Sequence, residues 1–269
     1  MIFNLSMPVL KPKGPTASLT AQSGITYTNG ISGISAEKMS LYAELISNNA
    51  SITNKTSVIY IDDGANHYKV SIGNQVTLSL NGTNYAFDVI GFNHDTLTTS
   101  TAYGANTKTG KAGITFQMHD LFATYYPMNS SNTNSGGWKN SAMRTSTMAT
   151  MKSYLPSAWQ TVIKPVNKAS GTGGGSTSGT ETVSDSCFLL AEIEMFGSTT
   201  YSVSGEGTQY AYYKAGNSKA KNMSGSASHW YERSPRSGYT QDFCMVSKYG
   251  DASASNGTLH PGIAFGFCV

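Results

Sequence analysis

Two glutamates in residues 188–196 have a spacing that could support acid–base chemistry. Glu192 and Glu194 stand two residues apart among apolar neighbours, and on a strand both side chains would lie on one face. Paired carboxylates divide the acid and base roles in glycoside hydrolysis. The favoured alternative is structural: the pair opens a helix, where unpaired backbone amides and a buried Arg stabilise carboxylates. We therefore expect no catalytic residues.

Other catalytic and metal-binding patterns are incomplete. Residues 104–111 (GANTKTGK) resemble a phosphate-binding loop, but five residues separate the glycines and Ala112 replaces the required Ser or Thr. Residues 30–33 (GISG) lack the spacing and context of a nucleophile elbow. The histidines form no i, i+4 pair, and His119 with Asp120 is interpreted as a polar pair at a core edge. The sequence predicts no metal, no cofactor and no enzymatic activity.

Composition excludes further classes of function. Charged residues make up 12% of the chain, the formal net charge is +3, and the basic residues are scattered. Nucleic-acid binding is not expected, because it needs a continuous cationic surface. The sequence contains no run of 18 apolar residues and no secretory signal pattern, so a soluble protein without membrane insertion is expected. The three cysteines are interpreted as buried free thiols.

The predicted secondary structure, which must position any site, differs between the N-terminal region and the rest of the chain. The first thirty or so residues show little periodicity and are predicted to form an arm. Ser35 is the predicted N-cap of a helix whose apolar positions 39, 42, 45 and 46 share one side. We expect an N-terminal arm and helix over residues 1–65, serving attachment or oligomerisation, and a larger domain over residues 66–269.

From Val58 onward the apolar period is two, which indicates short strands. Strands are predicted at 58–61, 67–72, 76–80 and 85–92, with a tight hairpin turn at Asn81-Gly82. Helices are predicted at 141–154, where three methionines share a face, and at 157–163. Residues 263–269 alternate bulky and small side chains, which predicts a strand buried between packed layers.

Two polar segments of the C-terminal half are candidates for surface loops. Residues 169–182 have the composition of a flexible linker and are predicted to be a surface loop inside one domain. Residues 237–241 (SGYTQ) combine a rigid aromatic contact area with adaptable hydrogen bonding, which is typical of recognition loops. Ordinary connecting loops share this composition, so both interpretations stay open. Trp230 and Phe243, on either side, are predicted core residues.

An ordered series of motifs carries a resemblance to a known family. The series consists of residues 136–144 (GGWKNSAMR), 155–156 (LP), 162–165 (VIKP), 189–197 (LLAEIEMFG), 230–235 (WYERSP) and 262–265 (GIAF). It resembles an uncharacterised domain family of phages and prophages of gut Firmicutes, related to the C-type-lectin-like fold that formylglycine-generating enzymes also use. The resemblance covers residues 66–269.

The resemblance implies an α+β, C-type-lectin-like domain with a twisted antiparallel sheet, flanking helices and long loops. Phage adhesins display a binding surface near the C-terminus of this fold, and here it would map onto Tyr231, Arg236, Ser237, Tyr239, Thr240, Gln241 and Tyr249. The calcium motifs of sugar-binding lectins and the cysteine pair of the oxidases are missing from the sequence. We therefore expect neither calcium-dependent sugar binding nor thiol chemistry.

The expected function is that of a phage virion protein, in the tail tip or fibre, that recognises a bacterial surface glycan or protein. Its N-terminal region would contact other virion subunits, and a homo-oligomer such as a trimer is expected. A structural decoration or baseplate protein without receptor binding is one alternative, and a cryptic glycan-acting enzyme that uses Glu192 and Glu194 is another. Apolar patches beside Tyr231 and Tyr239 would favour the structural role, whereas a polar concavity would favour receptor binding.

Overall fold

The computed structural model describes residues 14–269 and confirms the α+β class, with more strand than helix. The first strands are β1 (Thr16–Ser18), β2 (Thr28–Asn29), β3 (Val58–Asp62), β4 (His67–Ser71), β5 (Gln75–Leu80), β6 (Thr83–Phe92), β7 (Ile114–Met118) and β8 (Val166–Gly171). The others are β9 (Thr180–Asp185), β10 (Cys187–Phe188), β11 (Lys221–Met223), β12 (Ser226–Ser228), β13 (Trp230–Pro235), β14 (Asp242–Val246), β15 (Ala252–Asn256) and β16 (Gly266–Cys268). The helices are α1 (Ala36–Ser47), α2 (Gly137–Asn140), α3 (Met148–Tyr154), α4 (Ser157–Val162), α5 (Glu192–Phe196) and α6 (Ala211–Lys214).

The N-terminal part forms a four-stranded sheet with the strand order β1-β3-β4-β2. β3 and β4 are antiparallel and pair from Val58 with Ser71 to Asp62 with His67. The division expected between residues 65 and 66 therefore falls in the turn of a hairpin. Residues 1–13 of the expected arm lie outside the described residues.

Helix α1 forms where the sequence predicts it and packs into the main core. The backbone amide of Lys38 donates to Ser35 Oγ, which is an N-cap hydrogen bond, and Asn48 ends the helix. A Cβ atom on Gly113 would lie 1.9 Å from the backbone oxygen of Ala43 on this helix, so only glycine allows the contact. The described part of the N-terminal region thus shares one core with the rest of the chain and does not extend from it as an arm.

The largest sheet is antiparallel and has the strand order β10-β16-β7-β6-β5. Residues 261–269 are all buried, which confirms the buried C-terminal strand. Gly266 on β16 has no space for a side chain, because a Cβ would lie 2.8 Å from the backbone oxygen of Phe116. The ring of Phe267 lies 5.4 Å from that of Phe87 and 5.5 Å from that of Phe116. This aromatic packing dominates the apolar core.

Local turn and helix predictions are confirmed with one refinement. Asn81 and Gly82 have φ angles of 47° and 86°, which is the left-handed geometry of a two-residue hairpin turn. The predicted helix at 141–154 consists of a π-helical turn (Met143–Thr147) followed by α3. The wider π turn brings Met143 and Met148, five residues apart, onto one buried face with Met151.

The glycine-rich segment predicted as a loop is largely a β-hairpin. β8 and β9 pair from Val166 with Asp185 to Gly171 with Thr180, which leaves residues 172–179 as the connecting turn. The segment lies inside one domain, as predicted. Its ordered conformation comes from strand pairing on both sides, which the linker-like composition did not indicate.

The strands that carry the candidate site form a three-stranded antiparallel sheet, β13-β14-β15. Trp230 and Phe243 are fully buried in it, as predicted. The register between β13 and β14 shifts between Tyr231 and Pro235, and such a bulge re-aims side chains. All six residues of β13 are buried, so the strand carries Glu232 and Arg233 into the interior.

Candidate functional site

The loop between β13 and β14 brings together five of the seven predicted binding residues. Tyr239, Thr240 and Gln241 are exposed, and Arg236 and Ser237 are partly exposed. Tyr201, from the loop between α5 and α6, joins them because its ring centroid lies 5.3 Å from the guanidinium carbon of Arg236. We call this group the Tyr239 patch, and it consists of Tyr201, Arg236, Ser237, Tyr239, Thr240 and Gln241.

Tyr239 is the aromatic platform of the patch. About half of the residue, 49%, is exposed, and the guanidinium carbon of Arg236 lies 3.5 Å from the centroid of its ring. Nη1 of Arg236 also donates to Asp242 Oδ2 at 3.0 Å. The guanidinium therefore supports the ring through a cation–π contact while its charge is balanced by a carboxylate.

Asn134, more than one hundred residues away in sequence, fixes the backbone of the loop. Its buried side-chain amide donates to the carbonyl oxygens of Tyr239 and Asp242 at 2.8 and 2.7 Å. Its backbone amide donates to the carbonyl of Thr240, and its Oδ1 accepts from the amide of Gly174. One buried side chain thus joins the β13–β14 loop to the turn of the β8–β9 hairpin. Sequence reasoning missed Asn134, since nothing local distinguishes it from its Ser- and Asn-rich neighbours.

The β8–β9 turn packs directly against the patch. The amide of Gly175 donates to the carbonyl of Tyr239, and the amide of Gly238 donates to the carbonyl of Ser176. Gly173 is required by this packing, because a Cβ there would lie 1.8 Å from the backbone oxygen of Asn134. Gly173 therefore serves close backbone contact rather than flexibility.

Glu192 holds the loop that supplies Tyr201. Its buried carboxylate accepts hydrogen bonds from the backbone amides of Thr200, Tyr201 and Ser202 and from Ser202 Oγ, at 2.8 to 3.1 Å. The carbonyl of Tyr201 in turn accepts from the backbone amide of Ser237 at 2.7 Å. The carboxylate is thus a structural anchor at the start of a helix, which confirms the favoured interpretation.

Glu194 belongs to a buried cluster of charges beneath the loops. Arg233 donates to both of its carboxylate oxygens, at 2.6 and 3.0 Å. Lys168 Nζ donates to Glu194 at 2.8 Å and to Asp95 at 2.7 Å. The two cations hold the pKa values of Glu194 and Asp95 below their usual range against the effect of burial. A cavity of about 280 Å³ borders this cluster, but its ions are paired with one another.

Tyr231 was predicted to belong to the binding surface, and this prediction is wrong because the residue lies in the interior. The residue is fully buried, and its hydroxyl donates to the carbonyl oxygens of Asn256 and Leu259 at 2.7 and 3.1 Å. Burial raises the pKa of this hydroxyl above its usual range. Tyr231 therefore fastens the segment after β15 to the core and cannot contact a ligand at the surface.

Tyr249 is exposed but lies apart from the patch. It is 76% exposed in the turn between β14 and β15, whereas the Tyr239 patch lies at the other end of β14. Five residues of extended strand span about 14 Å, at about 3.4 Å per residue. The structure thus divides the predicted surface into a fixed patch around Tyr239 and a separate tyrosine.

A second concave region lies at the edge of the largest sheet. A cavity of about 310 Å³ is lined by residues that include Tyr85, His119 and Asp120. His119 Nδ1 lies 2.8 Å from Asp88 Oδ2, so the partner of this histidine is Asp88 and not the adjacent Asp120. The hydrogen bond raises the pKa of His119 and lowers that of buried Asp88.

The comparison with protein-family models gives a match to a family. The model of DUF6273, a domain of unknown function, matches residues 112–268, more than half of the sequence. The chain belongs to this family. The comparisons with curated proteins and with solved structures give no match.

The whole of the Tyr239 patch lies within the DUF6273 region, together with its anchors Asn134 and Glu192. Within residues 14–269, no group of three or more His, Cys, Asp or Glu side chains could hold a metal ion. Cys187, Cys244 and Cys268 are free and buried, as predicted. In the same part of the chain, no helix has both the length and the apolar character needed to cross a membrane.

Proposed function

We propose that this DUF6273 protein is a recognition module whose Tyr239 patch binds a host-surface molecule, and that a neutral glycan is the ligand the patch fits best. The observation that carries the proposal is the half-exposed Tyr239 ring, which Arg236 supports and whose backbone carbonyl accepts hydrogen bonds from Asn134 and Gly175. Such a platform loses little conformational entropy on binding, which is the advantage of a preorganised site.

The chemistry of the patch favours an uncharged, hydroxyl-bearing ligand. Arg236 contributes a positive charge, but Asp242 balances it at 3.0 Å. Ser237, Thr240 and Gln241 offer hydroxyl and amide groups that both donate and accept hydrogen bonds. A sugar ring combines an apolar face, which can stack on tyrosine, with hydroxyls that can reach such groups. Tyr231 is buried and therefore adds no apolar surface beside Tyr239, where such a surface would favour a purely structural role.

The biological setting in this proposal rests on the sequence resemblance. It consists of a C-type-lectin-like domain on a phage tail tip or fibre, a homo-oligomer such as a trimer, and contact with other virion subunits through the N-terminal region. The second candidate is a structural virion component. Tyr249 and Leu259, both exposed and on either side of strand β15, favour that candidate as points of contact between subunits.

The test is binding of the labelled full-length protein to a panel of intact gut Firmicutes strains. We expect binding to a subset of strains, loss of binding in Tyr239→Ala, and retention in Tyr249→Ala, which removes a more exposed tyrosine outside the patch. Mild periodate treatment of the cells, which cleaves sugar diols, should abolish binding. If no strain binds, the structural role takes first place; if binding survives periodate but not protease, the ligand is a protein.

A further inference from the structure

Glu232 is a buried carboxyl group that the proposed site does not use. It lies on β13 in the region where the register with β14 shifts, and it has no exposed surface. Neither of its oxygens has a hydrogen-bond partner in the described part of the chain. An ionised carboxylate without partners is costly in such a position, so the protonated form is the one that burial allows.

Ser234, two residues from Glu232 on β13, accepts from the backbone amide of Glu192 and donates to the carboxylate of Glu206. The groups whose charges act on Glu232 are mostly acidic. They are Glu192 and Glu194 from α5, Glu206 from the loop between α5 and α6, Tyr213 from α6, Cys244 from β14, and the neighbouring Arg233. Arg233 is occupied by its two hydrogen bonds to Glu194. Burial, together with Glu192 and Glu206, raises the pKa of Glu232 well above its usual range.

Two of those carboxyl groups hold the loops of the Tyr239 patch. Glu192 binds the amides of residues 200–202, and Tyr201 connects that loop to Ser237 and Arg236. Glu206 accepts from the amide of Gly171 and from the hydroxyl of Ser234, and so links β8 to β13. A negative charge on Glu232 would repel both groups from the inside.

We propose that Glu232 is a proton-controlled latch on the Tyr239 patch: its protonated form lets Glu192 and Glu206 hold the surrounding loops, and loss of the proton releases them. The effect on ligand binding rests on the proposed function, whereas the loop release does not. Because the folded form keeps a proton on Glu232 that the open form loses, the contribution of Glu232 to the closed loops is fully present at low pH. This contribution decreases as the pH rises above the ordinary glutamate pKa.

The direct test reads the protonation of Glu232 in the full-length protein. Glutamate is labelled with ¹³C at the side-chain carboxyl, and the Glu232 signal is assigned by its absence in Glu232→Gln. We expect its chemical shift to change at a pH well above the ordinary glutamate pKa. Titration near the ordinary value of about 4.3 would overturn the proposal.

The second readout is hydrogen exchange of the amides of Thr200, Tyr201 and Ser202, corrected for the intrinsic pH dependence of exchange. We expect the opening equilibrium in the wild type to rise about tenfold per pH unit between the ordinary and the raised pKa. Glu232→Gln should remove this slope, and Glu181→Gln, at a half-exposed carboxylate, should keep it. If Glu232→Gln does not fold, the apolar Glu232→Met variant serves the same purpose. An unchanged slope in a folded Glu232 variant contradicts the latch.

The variant comparison is necessary because other buried groups also titrate: burial raises the pKa of Glu206 and lowers that of Lys221 to about 8. Both readouts follow the protein's own atoms, so they do not depend on finding a ligand. A protein that binds cells but whose Glu232 titrates near the ordinary glutamate value of about 4.3 would refute the latch and leave the proposed function intact. The reverse result would refute the proposed function alone.

Discussion

The interior of the molecule has an apolar region and a charged region, and the two contribute differently to the fold. In the largest sheet, the rings of Phe87, Phe116 and Phe267 pack without polar partners. Beneath the loops of the Tyr239 patch, Lys168 and Arg233 are also buried, and their charges are paired with the carboxylates of Asp95 and Glu194. Apolar packing stabilises without direction, since it depends on area and fit. Buried ion pairs add little net stability, but each group must meet its partner in one geometry.

The difference explains where the candidate site lies. A surface patch made of two loops and packed against a third needs fixed loop positions, and directional hydrogen bonds to buried polar groups provide them. Asn134 and Glu192 are the two clearest examples, since each binds several backbone groups of one loop. The aromatic sheet supplies the stable base on which this polar region rests.

The largest effect should come from breaking the charged interior. Arg233→Met leaves Glu194 buried beside Asp95 with only Lys168 to balance them, and we expect the free energy of unfolding to fall by about 3–5 kcal/mol. The double variant Arg233→Met/Glu194→Met keeps the neutral Lys168–Asp95 pair and should be more stable than the single variant. Urea denaturation measures both. If the double variant is less stable than the single one, the loss in Arg233→Met does not come from an unbalanced buried charge, and the prediction is wrong.

A smaller effect should separate positioning from stability. Glu192→Ala removes the acceptor of three backbone amides and one hydroxyl, and we expect a loss of about 1–3 kcal/mol. Hydrogen exchange of residues 200–202 should increase much more than exchange in β7 and β16. Equal increases in both regions would show that Glu192 stabilises the whole domain and does not specifically hold the loop.

The smallest effect concerns the hydrogen bond between half-exposed His119 and buried Asp88. Because the hydrogen bond to Asp88 raises the pKa of His119, the pair is at full strength below the ordinary histidine pKa of about 6.5. Its contribution is lost as the pH rises through the raised value. Since solvent screens His119, we expect less than about 1 kcal/mol. His119→Gln should flatten this part of the stability–pH curve, and His260→Gln, at an exposed histidine, should not; equal curves would contradict the prediction.

Much of the fold could be predicted from the sequence because the signals are local. The Ser35 cap and the Asn81-Gly82 turn depend on a few neighbouring residues. The alternation of residues 263–269 correctly indicated a buried strand, because the period of a strand is visible in sequence. Glu192 and Glu194 open helix α5 and Glu194 pairs with a buried Arg, as predicted, but the amides that Glu192 binds belong to the following loop and not to the helix.

The candidate site was predicted only in part. The composition of residues 236–241 indicated a recognition loop, but Tyr231 was included although it is buried, and Tyr249 although it lies at the other end of β14. Asn134 was missed entirely. The register shift in β13 and the pairing of segments one hundred residues apart decide these positions, and neither leaves a local pattern.

The sequence by itself determined helix α1, strands β3 to β6, the helices from 141 to 163, the buried cysteines and the location of a Tyr-, Ser- and Gly-rich loop, and its resemblance to a family indicated the α+β class. Only the tertiary structure decided which tyrosine is a platform, which glutamates are anchors, and that Glu232 has no hydrogen-bond partner among the described residues. The physical reason is that turns, caps and alternation depend on neighbours in the chain. Exposure, hydrogen-bond satisfaction and pKa depend on neighbours in space.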